Sequence, residues 1–361
     1  MRVHWFLPSR GDGRHVGSAT VREGSSSAAV ARRPSVDYLS QVARAAEAVG
    51  FEAVLTPVGA ACEDPWILCA SVAQHTSRIE FLVAFRPGFV LPTLLAQQAA
   101  TFQRMTGGRL RLNVVTGGDP AEQRAYGDPL DHDARYAVTD EFLDVLSQCW
   151  SGERFDHAGE HFTVERGGLL EPVEVPPRIY FGGASPAAEA VAARRADTYL
   201  TWGEPPALVR PRVERMREAA EREGRSLSFG IRLHVISRDT PEEAWREADR
   251  LLEGMSPEAV RDAQARFARM DSVGQARMAS LHGGTAADLE VSPNLWAGVG
   301  LVREGAATAL VGSHEQVAER LAEYEEIGFD EVILSGWPHL EEAWRVGEQV
   351  LPLLDRAAVP A

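Results

Sequence analysis

The chain is poor in cysteine. Cys62, Cys69 and Cys149 are the only three in 361 residues. Three scattered thiols cannot build a disulfide framework. No Cys/His spacing matches a zinc site, so no metal is expected. No window approaches 18 uninterrupted apolar residues, which argues against a membrane-spanning helix. The N-terminus lacks a charged start, a long apolar stretch and a cleavage site, and the expectation is a soluble, cytoplasmic protein. No Gly-x-Gly-x-x-Gly follows the first apolar segment, which argues against a dinucleotide-binding open sheet. Positive charge is in deficit too. Lys+Arg total 37 against Asp+Glu 52, a net charge of −15. Such a surface repels phosphate backbones, so nucleic acid is not an expected partner. An anionic small ligand then needs a local cluster of arginines.

What is present is ordinary globular composition, 45% hydrophobic and 25% charged, with ample length for a large core. Short apolar segments alternate with amphipathic ones, the pattern of a parallel sheet with helical crossovers. Strands are predicted at 3–8, 53–57, 81–85, 110–115, 179–182, 198–202, 230–236 and 332–335. Helices between them include 36–49, 92–105, 134–150, 206–223, 242–252 and 315–327. About eight strand–helix units favour one closed α/β (β/α)8 barrel spanning 1–361. Two regions break the repeat. Residues 152–177 read as a β-hairpin. Residues 256–308 read as a long insertion, the kind that serves as a lid or as a stabilising decoration. The Ser/Ala-rich stretch 24–31 reads as a surface loop.

Polar residues just past barrel strands are where this architecture keeps its chemistry. Gly230-Ile-Arg-Leu-His-Val-Ile236 sets Arg232 and His234 on one face of a strand. A guanidinium forks onto oxyanions and an imidazole donates to them. The alternative is an arginine buried against a carboxylate beside a core histidine. Val332-Ile-Leu-Ser-Gly-Trp-Pro-His339 ends in Trp337 and His339. Cys62 follows the second strand with no activating base nearby, and reads as a pocket residue rather than a nucleophile. Thr116 and Ser185 sit in small-residue turns entering helices, where backbone N–H groups hold phosphate or Ser simply caps the helix. His132, Arg135 and Tyr136 precede or open a helix. Trp202 could wall a flat ligand or be a rim aromatic. Arg303, at the end of the insertion, is either a lid arginine or a solvated charge.

Together these segments resemble the bacterial luciferase-like flavin monooxygenases, and among them the alkanesulfonate monooxygenases. The similarity covers nearly the whole chain. It rests on Cys62-Glu-Asp, Phe81-Leu-Val-Ala, Asn113-Val-Val-Thr-Gly117, Asp131-His-Asp-Ala-Arg-Tyr136, Tyr180-Phe-Gly-Gly183 and Tyr199-Leu-Thr-Trp-Gly-Glu-Pro-Pro206. It rests also on the 230–236 segment, Asp271-Ser-Val-Gly274, residues 292–303, and Leu334-Ser-Gly-x-Pro-His-Leu-Glu-Glu342. The resemblance implies a luciferase-like (β/α)8 TIM barrel whose insertion is a mobile lid. It implies reduced FMN (FMNH2) supplied by a separate NAD(P)H-dependent FMN reductase, O2 as co-substrate, and C–S cleavage of an organosulfonate to an aldehyde and sulfite for sulfur assimilation. A homodimer or homotetramer is implied by analogy. Arg232 would stabilise the oxygenated flavin, pair with the sulfonate and serve a late proton transfer. His234 would bind substrate or intermediate, and Arg303 would act from the lid. Trp202, Trp337 and His339 match active-site positions, and Cys62 matches a pocket cysteine. Asn113, Thr116, His132, Tyr136 and Ser185 match residues that hold FMN.

Two departures touch the expected substrate pocket. Relatives carry Tyr where this chain has Trp337, and an indole cannot relay a proton as a phenol can. Relatives carry His where this chain has Arg10, a further group for an oxyanion. These departures point to a shifted substrate: a sulfosugar, a short sulfonate such as methanesulfonate, or, on the same chemistry, a sulfone. A deazaflavin-dependent dehydrogenase and a catalytically silent anion-binding barrel are the rival readings.

Overall fold

The computed structural model describes residues 1–16, 32–253 and 255–354. The stretch 24–31, expected as a surface loop, lies outside the described residues. The strands are β1 (Arg2–Phe6), β2 (Ala53–Thr56), β3 (Glu80–Phe85), β4 (Leu110–Val114), β5 (Phe155–Ala158), β6 (Thr163–Gly167), β7 (Ile179–Gly182), β8 (Thr198–Trp202), β9 (Ser228–Arg232), β10 (His234–Arg238), β11 (Glu290–Ser292), β12 (Leu295–Trp296), β13 (Ala309–Ser313) and β14 (Glu331–Ile333). The helices are α1 (Val36–Val49), α2 (Pro65–Val72), α3 (Pro92–Thr106), α4 (Pro120–Ala125), α5 (His132–Cys149), α6 (Pro186–Arg195), α7 (Pro206–Arg222), α8 (Pro241–Leu252), α9 (Pro257–Phe267), α10 (Val273–Ser280), α11 (His314–Ile327) and α12 (His339–Gln349).

Eight strands close a parallel barrel in the order β1-β14-β9-β8-β7-β4-β3-β2. Strands such as β2 are buried at every residue, because helices cover the outer face and side chains fill the inner one. Helix starts are written into the turns. Ser35, Asp131 and Ser185 each cap a first turn by accepting a backbone N–H. The helical ring closes where α1 packs on α12. This is the (β/α)8 fold expected from the strand count.

The barrel interior is layered. At the N-terminal end, Glu331 is fully buried and accepts from Tyr180 Oη at 2.7 Å, with His4 Nε2 at 2.9 Å. Arg111 donates to Tyr180 Oη at 2.8 Å and to Glu80 at 2.5 Å. Above this polar plug lies an apolar layer of Leu55, Leu82 and Ile333, with Phe6 and Leu200 against it. The C-terminal end above that layer is open.

One strand departs from expectation. Residues 230–236 do not form a single strand. The chain leaves the barrel at Leu233, whose N–H donates to Ile333 O at 3.0 Å, and the next N–H, of His234, donates to Thr308 O at 2.9 Å. From there β10 pairs with β13 in a second sheet of order β10-β13-β12-β11. The two amides bond to different sheets, so an unbroken apolar run serves both. Helix α8 packs on β10 and β13 rather than on the barrel, and α11 takes the seventh place in the outer ring. The excursion therefore runs from β10 to β13, wider than 256–308. Its own core joins Trp296, Leu301, Val311 and Ala244 to Val16 and Trp337 from outside it. Strands β5 and β6 form the antiparallel hairpin expected within 152–177. Among the described residues no helix is long and apolar enough to cross a membrane.

Candidate active site

A cavity of about 660 Å³ opens at the C-terminal ends of the barrel strands, within the usual range of about 300–1,000 Å³ for small-molecule sites. Phe6, Leu55, Leu200 and Ile333, the apolar layer of the barrel, form its floor. The excursion contributes residues 270, 272–275 and 303–306 to the wall. Arg10, Cys62, Asn113, Thr116, His132, Tyr136, Ser185, Trp202, Arg232, His234 and Arg303 all line this one space.

Arg232 is the last residue of β9, so its side chain stands inside the barrel at the floor. It is buried, and its guanidinium lies 4.7 Å over the Phe6 ring. Nη1 donates to the carbonyls of Leu233 and Ile333, and Nη2 donates to Ser335 Oγ at 2.6 Å. No carboxylate pairs with it among the described residues. The alternative of an arginine buried against an acid is therefore not what the structure contains. Burial, then the field of Arg303, pulls its pKa down to about 9, so it stays charged at neutral pH. Arg303 likewise has no carboxylate partner among the described residues and sits 5.6 Å over the Trp337 ring. Burial, then Arg10, pulls it down to about 10.

His234 is fixed rather than free. Nε2 lies 3.0 Å from Ala306 O, and Nδ1 lies 2.7 Å from Ser335 Oγ. A carbonyl only accepts, so Nε2 carries the proton. Burial, then Arg232 and Arg303, pushes the imidazolium form well below the ordinary range, which leaves Nδ1 to accept from the Ser335 hydroxyl. Ser335 in turn accepts from Arg232. Ser335 is the residue that sequence reasoning passed over. Its place just past β14 was visible as the end of an apolar run, but its two partners come from β9 and β10, about 100 positions earlier.

Trp337 and His339 do not reach the cavity. Trp337 is buried, with its ring 4.5 Å from that of His234. It backs the wall and supports Arg303 from beneath. His339 starts α12, and its Nδ1 lies 2.8 Å from Asp12 Oδ1, while its backbone N–H donates to Asp12 Oδ2 at 2.7 Å. Asp12 also accepts from Tyr38 and from Gly13 N. The structure places His339 in this buried network, which ties the loop after β1 to α12, and outside the cavity lining.

The opposite end of the cavity is a cradle of N–H groups. β7 runs through Gly182 and Gly183 into α6. The backbone N–H groups of Ala184 and Ser185 have no acceptor among the described residues. Gly183 is required here: a Cβ would meet Ala188 Cβ at 2.5 Å and the Tyr136 hydroxyl at 3.3 Å. Ser185 Oγ caps α6 by accepting from Ala188 N at 3.2 Å, and Tyr136 Oη points to the same turn, held neutral by burial. Thr116 is buried alongside, and the His132 ring lies 4.9 Å from that of Tyr136. This is the donor set a phosphate needs at a helix N-terminus. Between the two ends stands Trp202. A Cβ on Gly274 would come within 3.0 Å of its ring, so the bare backbone of α10 fixes that indole in place. The Cys62 thiol is kept protonated, chiefly by burial, as suits a wall residue rather than a nucleophile.

At the outer rim Arg10 Nη1 pairs with Glu304 Oε1 at 3.0 Å, and Arg266 stands 3.9 Å from Oε2 of the same carboxylate. The chain holds no lysine, so every fixed cation around the cavity is a guanidinium. Among the described residues no group of three His, Cys, Asp or Glu side chains could hold a metal ion.

The sequence pattern of the luciferase-like monooxygenase family matches residues 1–331. Among solved structures, the chain is similar to the riboflavin lyase RcaE, at 20% identity and a TM-score of 0.82 over all of this chain and 92% of that one. It is also similar to the long-chain alkane monooxygenase LadA, at 21% identity and 0.81 over 100% and 93%. The EDTA monooxygenase EmoA from Chelativorans sp. BNC1 matches at 22% identity and 0.78 over 100% and 95%.

Proposed function

Because the chain belongs to the luciferase-like monooxygenase family, we propose that it is a two-component oxygenase that receives reduced FMN from a separate NAD(P)H-dependent reductase and cleaves the C–S bond of an organosulfonate with O2, giving an aldehyde and sulfite. One observation carries this reading. Arg232 and Arg303 both face the cavity with no carboxylate to neutralise them, in a protein of net charge −15. Two desolvated guanidiniums without counter-ions need an anionic guest, and a sulfonate offers three oxygens to forked donors.

The residues present fit FMN. The free N–H groups at 184 and 185, with the Ser185 and Tyr136 hydroxyls, suit the phosphate. Thr116, His132 and Asn113 line the path from there toward the barrel axis, and Trp202 supplies a flat wall. Reduced FMN, when bound, supplies the electrons that activate O2. The protein's part is placement and charge. Arg232 and Arg303 orient the sulfonate and stabilise negative charge beside the floor. Arg232, with its lowered pKa, is suited to the late proton transfer. His234, locked as the Nε2–H tautomer, shapes the pocket without titrating. The excursion covers the mouth and excludes water.

The test is anaerobic titration with reduced FMN, then addition of O2 and a panel of sulfonates with sulfite as readout. A second reading keeps the same cofactor but an uncharged substrate, such as a sulfone or an alkane; the apolar floor of Phe6, Leu55, Leu200 and Ile333 supports it. Product formation from those compounds, with no sulfite from any sulfonate, would select it. Turnover with a deazaflavin in the absence of O2 would select the dehydrogenase reading.

A further inference from the structure

We infer that the preferred substrate is a dianion: a short alkanesulfonate whose far end carries a second oxyanion, a carboxylate, received by Arg10 and Arg266 at the rim. This rests on the sulfonate reading above and deepens it. Charge around the cavity does not balance. Arg86 is paired with Glu122 at 2.9 Å, and Arg212 with Glu204 at 2.7 Å. Arg232 and Arg303 have no acidic partner among the described residues, which is enough for one sulfonate. Arg10 and Arg266 remain, and they share the single carboxylate of Glu304. With Asp119, which also lines the cavity, four guanidiniums face two carboxylates, an excess of two positive charges that a dianion balances and a monoanion does not.

The geometry at the rim agrees. Arg10 Nε is buried yet has no acceptor among the described residues. Only one nitrogen of that guanidinium is occupied, by Glu304. Glu304 itself is a replaceable partner, because its side chain is 37% exposed and its contact with Arg266 is long. Exposed pairs of this kind contribute little and exchange readily. A carboxylate on the ligand would take the two Nη groups of Arg10 in a forked contact as Glu304 turns to solvent. Arg10 lies close enough to Arg303 to lower that group's pKa, and Arg303 does the same to Arg232 at the floor. All four guanidiniums line one cavity, so a single ligand can meet both clusters.

The test uses the full chain as purified, titrated calorimetrically with three ligands of equal backbone length: 3-sulfopropanoate, 1-propanesulfonate and 3-hydroxypropane-1-sulfonate. The dianion is expected to bind about 10–100-fold more tightly than either monoanion, the scale of one charge-assisted contact. Raising the salt shrinks that ratio. Arg10→Ala brings the affinities of the three ligands together, whereas Glu304→Gln, which removes the competing carboxylate without removing a cation, raises the dianion's advantage. A wild type that binds all three equally, or none, overturns the inference, as does an Arg10→Ala protein that keeps the full ratio. A hydroxyl ligand as tight as the dianion would show hydrogen bonding rather than charge, and would also overturn it. Sulfite release from plain propanesulfonate with reduced FMN would leave the proposed function standing even then.

Discussion

Arg232 and His234 are joined through one oxygen. The Ser335 hydroxyl accepts from Arg232 Nη2 at 2.6 Å and lies 2.7 Å from His234 Nδ1. Remove that oxygen and a buried guanidinium N–H and a buried imidazole nitrogen both lose their partner. Ser335→Ala should cost about 1–3 kcal/mol of stability. It should also lower turnover by about 10²-fold, because a misplaced anion-binding group costs that much. A purely structural role would move the melting temperature alone. The distinguishing readout is the ring ¹⁵N spectrum of His234: in the variant the Nδ1 signal moves as it loses the Ser335 donor, while Nε2 keeps its proton on Ala306 O.

Arg232→Ala and Arg303→Ala should each lower turnover on a sulfonate by about 10²–10³-fold, while FMN binding, governed by the opposite end of the cavity, changes little. Steady-state sulfite release and anaerobic flavin titration separate the two effects. His339→Ala is expected to behave differently. Its contacts are with Asp12 and not with the cavity, so the loss should fall on the melting temperature, through a freed buried carboxylate.

Gly183 is a steric requirement. Adding one methyl group, as Gly183→Ala, puts it 2.5 Å from Ala188 Cβ at the turn that carries the free N–H groups. Overpacking of this size costs about 1–3 kcal/mol. Spread onto the phosphate cradle, that corresponds to about 10–100-fold weaker FMN binding, measurable by flavin fluorescence quenching. Gly274→Ala, against Trp202, should leave the phosphate end intact and disturb only the ring wall.

Glu331 gives the pH dependence. Burial pushes its pKa up, but His4, Arg2 and Tyr180 outweigh this and hold it at about 2, below the ordinary value of 4.5. Its folded pKa is depressed, so the stabilisation is complete above about 4.5 and is lost as pH falls toward 2. Glu331→Gln should cost about 1–3 kcal/mol at neutral pH, because the buried His4 and Tyr180 donors lose a charged acceptor. The same variant should flatten the acid limb of a melting-temperature profile between pH 5 and 3. An acid limb identical to wild type would contradict this.

The barrel was legible in the sequence because its signal is repeated and local: each strand is a short apolar run bounded by a turn, and each helix an amphipathic one. Arg232 and Arg303 could be singled out because they stand at the ends of such runs. The switch at Leu233 was not legible. It happens inside an unbroken apolar stretch, where only the partners of adjacent amides, Ile333 and Thr308, reveal two sheets. Strand β13 was missed for a related reason: Ala309–Ser313 reads as the tail of the insertion until β10 pairs with it. Ser335 shows only as the end of an apolar run, and Asp12 carries nothing in its local sequence to mark it. Their importance comes from residues about 100 and 327 positions away. Trp337 and His339 show the converse. A strand-end position suggests a ligand contact, yet their side chains are turned into packing and into the Asp12 network.

The most direct measurement is a single-turnover experiment. The protein is loaded anaerobically with reduced FMN, then mixed with O2 and an organosulfonate, and sulfite is counted per flavin. Near-stoichiometric sulfite is expected from the wild type and almost none from Arg232→Ala or Arg303→Ala. Stoichiometric sulfite from both variants, or none from a wild type that binds reduced FMN and consumes O2, would contradict this.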